Sequence, residues 1–207
     1  MKTKTLVKIC GITTEEDAEA AVNAGADFLG FNFYPLSSRY VSPDAVRSIM
    51  AELRGAVRTV GVFVNERADV IETICERAGI EIIQLHGDEG PGFCRRFERP
   101  VIKAFRMGPD FDISEINEYK TWAVLADSRT DGYGGSGITV DFEMARRARD
   151  LRERFYLAGG LDADNIKQAI ESVGPWAVDA ASRIESEPGK KDHEKMFDFI
   201  RAVKDGG

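Results

Sequence analysis

The sequence predicts an α/β fold and, within that class, a single-domain (β/α)8 TIM barrel. Eight short apolar segments alternate with helical patterns along the 207 residues. Most of these segments lack polar alternation, which is typical of parallel strands covered on both faces. Each strand–helix unit takes about 26 residues, enough for a small closed barrel. Because an open doubly wound sheet has the same repeat, closure of the barrel is an expectation.

The predicted strands are short and rich in branched apolar residues, and turn or helix signals follow each of them. All are four to six residues long, the ordinary length of a strand. In chain order they are Leu6–Cys10, Phe28–Phe33, Thr59–Val64, Ile82–Leu85, Val101–Phe105, Trp122–Asp127, Phe155–Ala158 and Ala177–Ala181.

The helices between the strands have recognisable ends. The segment Thr13–Glu16 has the form of a capping box, and Gly25 is the expected stop of that helix. Ser42 and Pro43 supply the N-cap and first position of the next helix. Cys75 falls on the apolar face of a third helix and is predicted to lie in the core, as is Cys94 in a fourth. Further helices are predicted at Ser114–Lys120, Phe142–Arg154, Ala163–Val173 and His193–Lys204.

Composition excludes several classes of function. The net charge of −7 and the absence of a basic stripe argue against a nucleic-acid partner. No apolar stretch has the length of a membrane span, so no membrane partner is expected. The three cysteines form neither a disulfide framework nor a metal-binding pair, which favours a cytoplasmic setting without a metal site.

The chain shows no linker, low-complexity segment or change of composition. We therefore expect residues 1–207 to form one (β/α)8-barrel catalytic domain. We expect a monomer or a homodimer, and the residues do not decide between the two.

In such a barrel the functional residues lie where strands end and loops begin, at the C-terminal face. Cys10 is at the end of the first predicted strand and Asp127 at the end of the sixth. Asp179 lies near the end of the eighth. The loops after strands seven and eight contribute Gly159, Gly160 and Ser182. These residues are distant in sequence, yet closure of the barrel brings all of them to one mouth.

Segments along the whole chain resemble the phosphoribosylanthranilate isomerase family of tryptophan biosynthesis. In order they are VKICGIT, GADFLGFNFYPLSSRYVSP, VGVFVN, IQLHGDE, PVIKAFR, LADS, GGSG, LAGGLDADNI, WAVDAASRIE and PGKKD. The resemblance implies a (β/α)8 barrel that needs no cofactor and acts on a small-molecule substrate. The implied reaction is an Amadori rearrangement of N-(5-phosphoribosyl)anthranilate to 1-(2-carboxyphenylamino)-1-deoxyribulose 5-phosphate.

The resemblance also implies two catalytic roles. Asp127 corresponds to the acid that protonates the ribose ring oxygen, and Cys10 to the base that removes the proton from C2′. A free thiol with a pKa of about 8.5 is only a few per cent thiolate at neutral pH, so we expect the site to favour the thiolate. Strand alternation places Lys8 inside the barrel beside Cys10, with an inward carboxylate as partner. Lys8 either favours the thiolate or only closes the barrel floor.

Substrate binding follows from the same resemblance. Arg39 corresponds to the arginine that faces the anthranilate carboxylate. Asp179 is expected to bind a sugar hydroxyl or an amine, although pairing with Lys8 is an alternative. The segment Tyr133–Gly137 resembles a flexible loop over the mouth. The phosphate is expected on backbone N–H groups near Gly159, Gly160, Ala181, Ser182 and Arg183.

Three positions depart from the family pattern. The family usually has glycine where this chain has Arg183, often serine where it has Ala181, and Ser-Pro at Ser37-Ser38. We interpret the Ser37-Ser38 change as a tolerated loop change. Arg183 either occupies a strained backbone with positive φ, at a cost of about 1–3 kcal/mol, or binds the phosphate through its guanidinium. We favour phosphate binding.

Other phosphate-binding barrels are the alternative functions. Indole-glycerol-phosphate synthase relies on lysines and a glutamate in the mouth, and a histidine-pathway sugar isomerase on paired aspartates with two phosphate sites. The pair Cys10 and Asp127 favours neither. A non-catalytic barrel that binds a phosphorylated ligand is a third alternative, and only Arg183 supports it.

Overall fold

Eight parallel strands form a closed barrel in chain order, with β8 paired to β1. The structure is a computed structural model that describes residues 4–53, 55–108, 110–128 and 141–206. The strands are β1 Leu6–Cys10, β2 Phe28–Asn32, β3 Arg58–Phe63, β4 Ile82–Leu85, β5 Val101–Met107, β6 Ala123–Ser128, β7 Phe155–Leu157 and β8 Ala177–Ala180. The predicted barrel is therefore confirmed, and the open sheet is excluded.

The helices lie outside the barrel. They are α1 Glu15–Ala24, α2 Pro43–Ile49, α3 Ala68–Ala78, α4 Pro91–Cys94, α5 Phe142–Arg149, α6 Ile166–Val173 and α7 His193–Asp205. Two 3-10 helices cover Ile113–Glu118 and Ser182–Ile184. A short antiparallel hairpin, β9 Glu185–Glu187 and β10 Lys190–Lys191, follows the second 3-10 helix. None of the helices in the described ranges is long and apolar enough to cross a membrane.

Strand alternation divides the side chains between two cores. Those pointing outward from the strands pack against the helices and form the larger core, which includes Cys75 and Cys94 as predicted. Those pointing inward fill the barrel. The inner core lies toward the N-terminal ends of the strands and contains Phe28, Val60, Ile82, Ile102, Leu125, Tyr156 and Ala177, with Trp122 and Trp176 packed against it. The barrel floor is thus apolar, and polar inward side chains are left to the C-terminal end.

The helix ends confirm the predicted stop of α1 and the predicted start of α2. The capping box predicted over Thr13–Glu16 is wrong by one residue, because the Thr13 hydroxyl donates to the Gly189 carbonyl and Thr14 is the N-cap of α1. The Thr14 side chain accepts a hydrogen bond from Asp17 N at 3.2 Å, and Gly25 ends α1 in the left-handed region with φ 101°. Ser42 caps α2 by accepting from Ala45 N, with Pro43 in the first position. These caps determine where α1 begins and ends and where α2 begins.

Three helices differ from the prediction. Helix α6 begins at Ile166, since the Asp162 side chain accepts N–H bonds from Asp164 and Asn165, both at 3.1 Å, and holds that segment as a turn. The predicted helix Ser114–Lys120 is a 3-10 helix over Ile113–Glu118, and α5 ends at Arg149. The hairpin β9–β10 was not predicted. The segment Tyr133–Gly137 lies outside the described residues.

Candidate active site

The polar end of the barrel begins with Cys10, the last residue of β1. Two residues earlier on the same face, Lys8 is completely buried. Its Nζ donates to both carboxylate oxygens of Asp179 on β8, each at 3.0 Å. The expectation that an inward carboxylate pairs with Lys8 is therefore confirmed. The partner is Asp179, for which pairing with Lys8 was the alternative to binding the substrate.

Charge and burial act in opposite directions on the Cys10 thiol. Burial raises the pKa of Cys10, and the nearby ammonium of Lys8 lowers it without cancelling the effect of burial. The charge of Asp179 holds the pKa of Lys8 above its ordinary value although burial acts against it. The expectation that the site by itself favours the thiolate is therefore wrong, because desolvation, together with the charge of Asp179, outweighs the effect of Lys8 and Lys191.

Gly30 on β2 provides the space for this arrangement. It lies beside Cys10 in the β1–β2 register. A Cβ atom on Gly30 would come within 2.9 Å of Cys10 Sγ and 3.0 Å of Lys8 Nζ. A side chain at this position would displace the thiol, the ammonium or both. The lack of a side chain at Gly30 therefore leaves room for Cys10 and Lys8.

On the other side of the mouth, Asp127 near the end of β6 is buried and interacts with His86. His86 Nε2 lies 3.2 Å from Asp127 Oδ2, and His86 Nδ1 lies 2.9 Å from Gln84 Nε2. When the Gln84 amide donates to Nδ1, the imidazole carries its proton on Nε2 and donates it to the Asp127 carboxylate. Gln84 Oε1 is buried and finds no hydrogen-bond partner among the described residues.

The loop that carries His86 is held by a buried carboxylate. Glu89 accepts N–H bonds from Asn65 at 2.8 Å and from Gly87 at 3.0 Å. Lys103 Nζ donates to Glu89 at 2.8 Å and to the Gly87 carbonyl at 2.6 Å. The backbone that follows His86 is therefore fixed by charge-assisted bonds, which also restrict the approach of the His86 ring to Asp127.

Arg39, in the loop before α2, faces Glu185 at the start of the hairpin. Arg39 Nε and Nη2 donate to the two carboxylate oxygens of Glu185 at 2.8 and 2.7 Å. Lys191, on the other strand of the hairpin, donates to Glu185 Oε1 at 2.9 Å and to the Ala181 carbonyl at 3.3 Å. Burial alone would raise the pKa of Glu185, but the bonds from Arg39 and Lys191 outweigh it and lower the pKa.

The loop after β7 contains two consecutive glycines with positive φ, Gly159 at 94° and Gly160 at 64°. Asn165 Nδ2 donates to the Gly160 carbonyl at 2.7 Å, and Asn165 Oδ1 accepts from Asp162 N at 3.1 Å. Two left-handed residues in a row are strained for any residue with a side chain. The loop therefore depends on glycine to bring its backbone close to the barrel mouth.

The loop after β8 contains Ala181, Ser182 and Arg183. Asn65 is the only residue other than glycine with positive φ in the described part of the chain, so the strained backbone considered for Arg183 is wrong. Arg183 lies in a 3-10 helix, and its guanidinium is 3.7 Å from the carboxylate of Asp162 in the preceding loop. Charge attraction thus links the two loops expected to hold the phosphate.

Electrostatic interactions connect Arg39 to Cys10, Cys10 to Asp179, and Asp179 to Asp127. Asp179 interacts with Lys8 and Cys10 on one side and with Asp127 and His86 on the other. The sequence reasoning assigned no role to Glu185 and Lys191, although a Pro-Gly turn between them is a hairpin signal. Within the described ranges, no group of three His, Cys, Asp or Glu residues could hold a metal ion.

Sequence comparisons place this arrangement among known proteins. A family model described as N-(5'phosphoribosyl)anthranilate (PRA) isomerase matches residues 7–202. A relative from Solibacter usitatus, named N-(5'-phosphoribosyl)anthranilate isomerase, is 47% identical over 204 residues, which cover 96% of this chain and 97% of the relative. A relative of the same name from Thermotoga neapolitana is 44% identical over 200 residues, which cover 96% and 98% of the two chains.

Solved structures agree with the sequence comparisons. The crystal structure of phosphoribosyl anthranilate isomerase from Thermotoga maritima has a TM-score of 0.92 and 42% identity, covering 97% of this chain and 99% of its own. A second crystal structure, of the isomerase in complex with reduced 1-(o-carboxyphenylamino)-1-deoxyribulose 5-phosphate, has a TM-score of 0.88 and 38% identity, with the same coverage.

Proposed function

This chain belongs to the N-(5'-phosphoribosyl)anthranilate isomerase family, and on that premise we propose how its residues carry out the reaction. The activity is the isomerisation of N-(5-phosphoribosyl)anthranilate in tryptophan biosynthesis. The substrate is a small molecule that carries a phosphate, a pentose and an aromatic carboxylate. The observation that carries the mechanism is the convergence of Cys10 and Asp127 on one mouth, linked through the pair of Lys8 and Asp179.

The first step is opening of the ribose ring. The Asp127 carboxyl donates its proton to the ring oxygen, the C1′–O bond breaks, and the anthranilate nitrogen forms a Schiff base with C1′. His86 supports either protonation state of Asp127, because the Gln84 amide can present a donor or an acceptor to Nδ1. The imidazole Nε2 accordingly donates to the carboxylate or accepts from the carboxylic acid.

The second step is proton abstraction from C2′. The Cys10 thiolate removes this proton, and the electron pair forms the C1′=C2′ bond of an enolamine that tautomerises to the aminoketose. Burial makes the thiolate costly in the empty site, and Lys8 lowers that cost. The positive charge on the protonated Schiff base lowers it further, so the base becomes strongest after the ring has opened.

Substrate binding uses the charged residues around the mouth. Arg39 binds the anthranilate carboxylate. The backbone of Gly159, Gly160, Ala181 and Ser182 binds the phosphate, and Arg183 contributes a guanidinium. Asp179 reaches a sugar hydroxyl while it remains paired with Lys8. No cofactor takes part. These assignments rest on the positions of the residues at the C-terminal ends of β7 and β8 and on the family resemblance.

We further propose that residues 1–207 act as one catalytic domain in the cytoplasm, as a monomer or a homodimer and without a nucleic-acid or membrane partner. The free thiols of Cys10, Cys75 and Cys94 are consistent with a reducing compartment. A similar crystal structure from Thermotoga maritima is described as monomers of a dimeric phosphoribosylanthranilate isomerase, so either state is compatible with the fold.

The proposal is tested by Cys10→Ala. We expect kcat to fall by about 100- to 10,000-fold, the usual contribution of a general base, with little change in KM. The assay follows the loss of phosphoribosylanthranilate fluorescence. Cys94→Ala, which removes a core thiol away from the mouth, is the matched control and should retain activity. Full activity of Cys10→Ala would contradict the assignment of the base. Binding of the substrate without turnover by the wild type would indicate the non-catalytic barrel.

A further inference from the structure

Three charged side chains form a buried cluster at the rim of the barrel, which we call the Arg39 cluster: Arg39, Glu185 and Lys191. The Lys191 side chain is 0% exposed, that of Glu185 is 4% and that of Arg39 is 17%. Both oxygens of Glu185 accept hydrogen bonds from Arg39, and Oε1 also accepts from Lys191. Burying three charges is costly, and only close pairing compensates the cost.

The pairing leaves Arg39 with a defined orientation. A guanidinium has five N–H donors arranged along two edges, and each edge can bind one carboxylate. Glu185 engages the edge formed by Nε and Nη2. The second edge, formed by Nη1 and the other N–H of Nη2, points away from Glu185. Glu185 therefore determines which edge of Arg39 can receive a second carboxylate.

The net charge of the Arg39 cluster also suits a ligand that carries one carboxylate. Two cations and one anion leave a net charge of +1 in the Arg39 cluster, within a chain whose net charge is −7. Cys10, which interacts with both Arg39 and Lys191, is a neutral thiol until it acts as a base. One bound carboxylate would neutralise the cluster.

The hairpin that carries Glu185 and Lys191 is anchored to the barrel. Lys191 N donates to Asp17 of α1 at 3.0 Å, and Thr13 Oγ1 donates to the Gly189 carbonyl at 2.5 Å. Arg39 itself lies over Gly11, which has φ 78° and where a Cβ would come within 2.6 Å of Arg39 Cδ. The Arg39 side chain is thus confined by backbone on one side and by the hairpin on the other.

We propose that Glu185, supported by Lys191, is a positioning residue that aims the second edge of Arg39 at the substrate's carboxylate. Through this role the hairpin determines the preference for an aromatic amine that carries an ortho carboxylate. The inference rests on the proposed function in one respect, the assignment of the carboxylate to Arg39. It adds Glu185 and Lys191, which do not touch the substrate.

The test compares two ligands that differ only in the carboxylate. The first is reduced 1-(o-carboxyphenylamino)-1-deoxyribulose 5-phosphate, and the second is the same compound with phenyl in place of carboxyphenyl. The ratio of their dissociation constants, measured by calorimetry, reports the contribution of the carboxylate alone. For the wild type we expect a ratio of about 10 to 100, the range for a charge-assisted interaction.

The informative variant is Glu185→Met/Lys191→Met. It removes one anion and one cation, so the net charge of the Arg39 cluster stays at +1 while Arg39 loses its partner. Replacement of a buried ion pair by apolar side chains of similar volume is usually tolerated. We expect the ratio to fall to about 3 or less. Loss of the Lys191 bond to the Ala181 carbonyl would affect both ligands alike and cancel in the ratio. Glu185→Gln, which keeps one acceptor oxygen, should recover part of the ratio.

Two further variants separate the possible outcomes. If Arg39→Met lowers the ratio and Glu185→Met/Lys191→Met leaves it at the wild-type value, the positioning role is wrong and the carboxylate assignment stands. If Arg39→Met leaves the ratio unchanged, the carboxylate assignment and the positioning role are both wrong. The kinetic assay of Cys10→Ala remains a separate test of the isomerase mechanism. Glu72→Gln, which removes the partner of Arg99 on the outer helix α3, is the matched control and should not change the ratio.

Discussion

At the scale of single residues, burial and charge have opposing effects on the pKa of one thiol, that of Cys10. In the proposed mechanism Cys10 acts as a base, yet its burial favours the neutral form. Lys8 has the largest effect in the other direction, and Asp179 keeps Lys8 in place. A thiol that remains neutral in the empty site is also protected from oxidation and alkylation, because the thiolate is the reactive form.

Lys8→Met should make the Cys10 thiol less acidic. Because Lys8 lowers the pKa of Cys10, its loss moves that pKa further upward and reduces the thiolate fraction at any given pH. We expect slower alkylation of Cys10 by iodoacetamide at about pH 8 and a rate profile displaced to higher pH. Mass spectrometry of the Cys10 peptide measures the rate.

Two variants control this measurement. Lys8→Met/Asp179→Asn avoids leaving a buried carboxylate unpaired, so a displacement that persists in it is due to the lost ammonium. Lys204→Met removes a lysine that pairs with Asp27 and should leave the profile unchanged. An unchanged profile in Lys8→Met would contradict the electrostatic role of Lys8.

At the scale of elements, neighbouring strands contribute space as well as side chains. Gly30 on β2 and Gly61 on β3 are both closely surrounded, but by different groups. Gly30 faces Cys10 and Lys8, whereas Gly61 faces Phe63, Ile80 and Phe33 of the outer core. The lack of a side chain therefore makes room for the proposed base and Lys8 in one strand and for core packing in the next.

Alanine at each glycine should separate these two roles. A Cβ at Gly61 would lie 2.9 Å from Phe63 Cε2, comparable to the 2.9 Å from Gly30 to Cys10 Sγ. We expect both substitutions to lower the free energy of unfolding by about 1–3 kcal/mol, the usual cost of overpacking. Only Gly30→Ala should also lower kcat, by about 100-fold, since a displaced catalytic group loses its alignment.

The measurements are urea unfolding and steady-state kinetics on the two variants. Equal losses of kcat would show that general destabilisation explains the effect. Gly90→Ala, at a position where a Cβ meets nothing within 4 Å, should behave as the wild type in both measurements.

At the scale of the whole molecule, closure of the barrel joins the ends of the chain. The pairing of β8 with β1 places Asp179 beside Lys8, 171 residues away in sequence. The hairpin after β8 likewise returns to the loop before α2 and to the start of α1. Formation of the site therefore requires the complete barrel.

Acid should weaken this assembly in part through Glu185. Its pKa is below the ordinary 4.5, so the carboxylate stays charged in the folded state at pH values where the unfolded chain takes up a proton. The stabilisation is present above the unfolded pKa and is lost as the pH falls through the folded pKa. We expect Glu185→Gln to be less stable than the wild type at neutral pH, by a difference that shrinks below about pH 4.5.

Urea unfolding at a series of pH values measures this difference. Glu187→Gln is the matched control in the same hairpin, since its side chain is 69% exposed and its pair with Lys190 is long, at 3.9 Å. It should follow the wild type at every pH. A constant difference between Glu185→Gln and the wild type would contradict the linkage.

The sequence by itself determined the repeat of strands and helices and the positions of Cys10 and Asp127 at the C-terminal ends of β1 and β6. These features depend on local patterns, such as branched apolar runs, helix caps and strand alternation, which neighbouring residues encode. The alternation that placed Lys8 inside the barrel is of the same kind. Family resemblance added the chemical roles.

Only the tertiary structure decided which charges meet. The pairs of Lys8 with Asp179 and of Arg39 with Glu185 join residues 171 and 146 positions apart, and no local pattern encodes such distances. No local pattern encodes the net shift in the pKa of Cys10 either. Burial and charge oppose each other there, and their balance depends on the closed barrel. Electrostatic interactions in a protein depend on spatial separation and solvent exclusion, and the closed fold determines both.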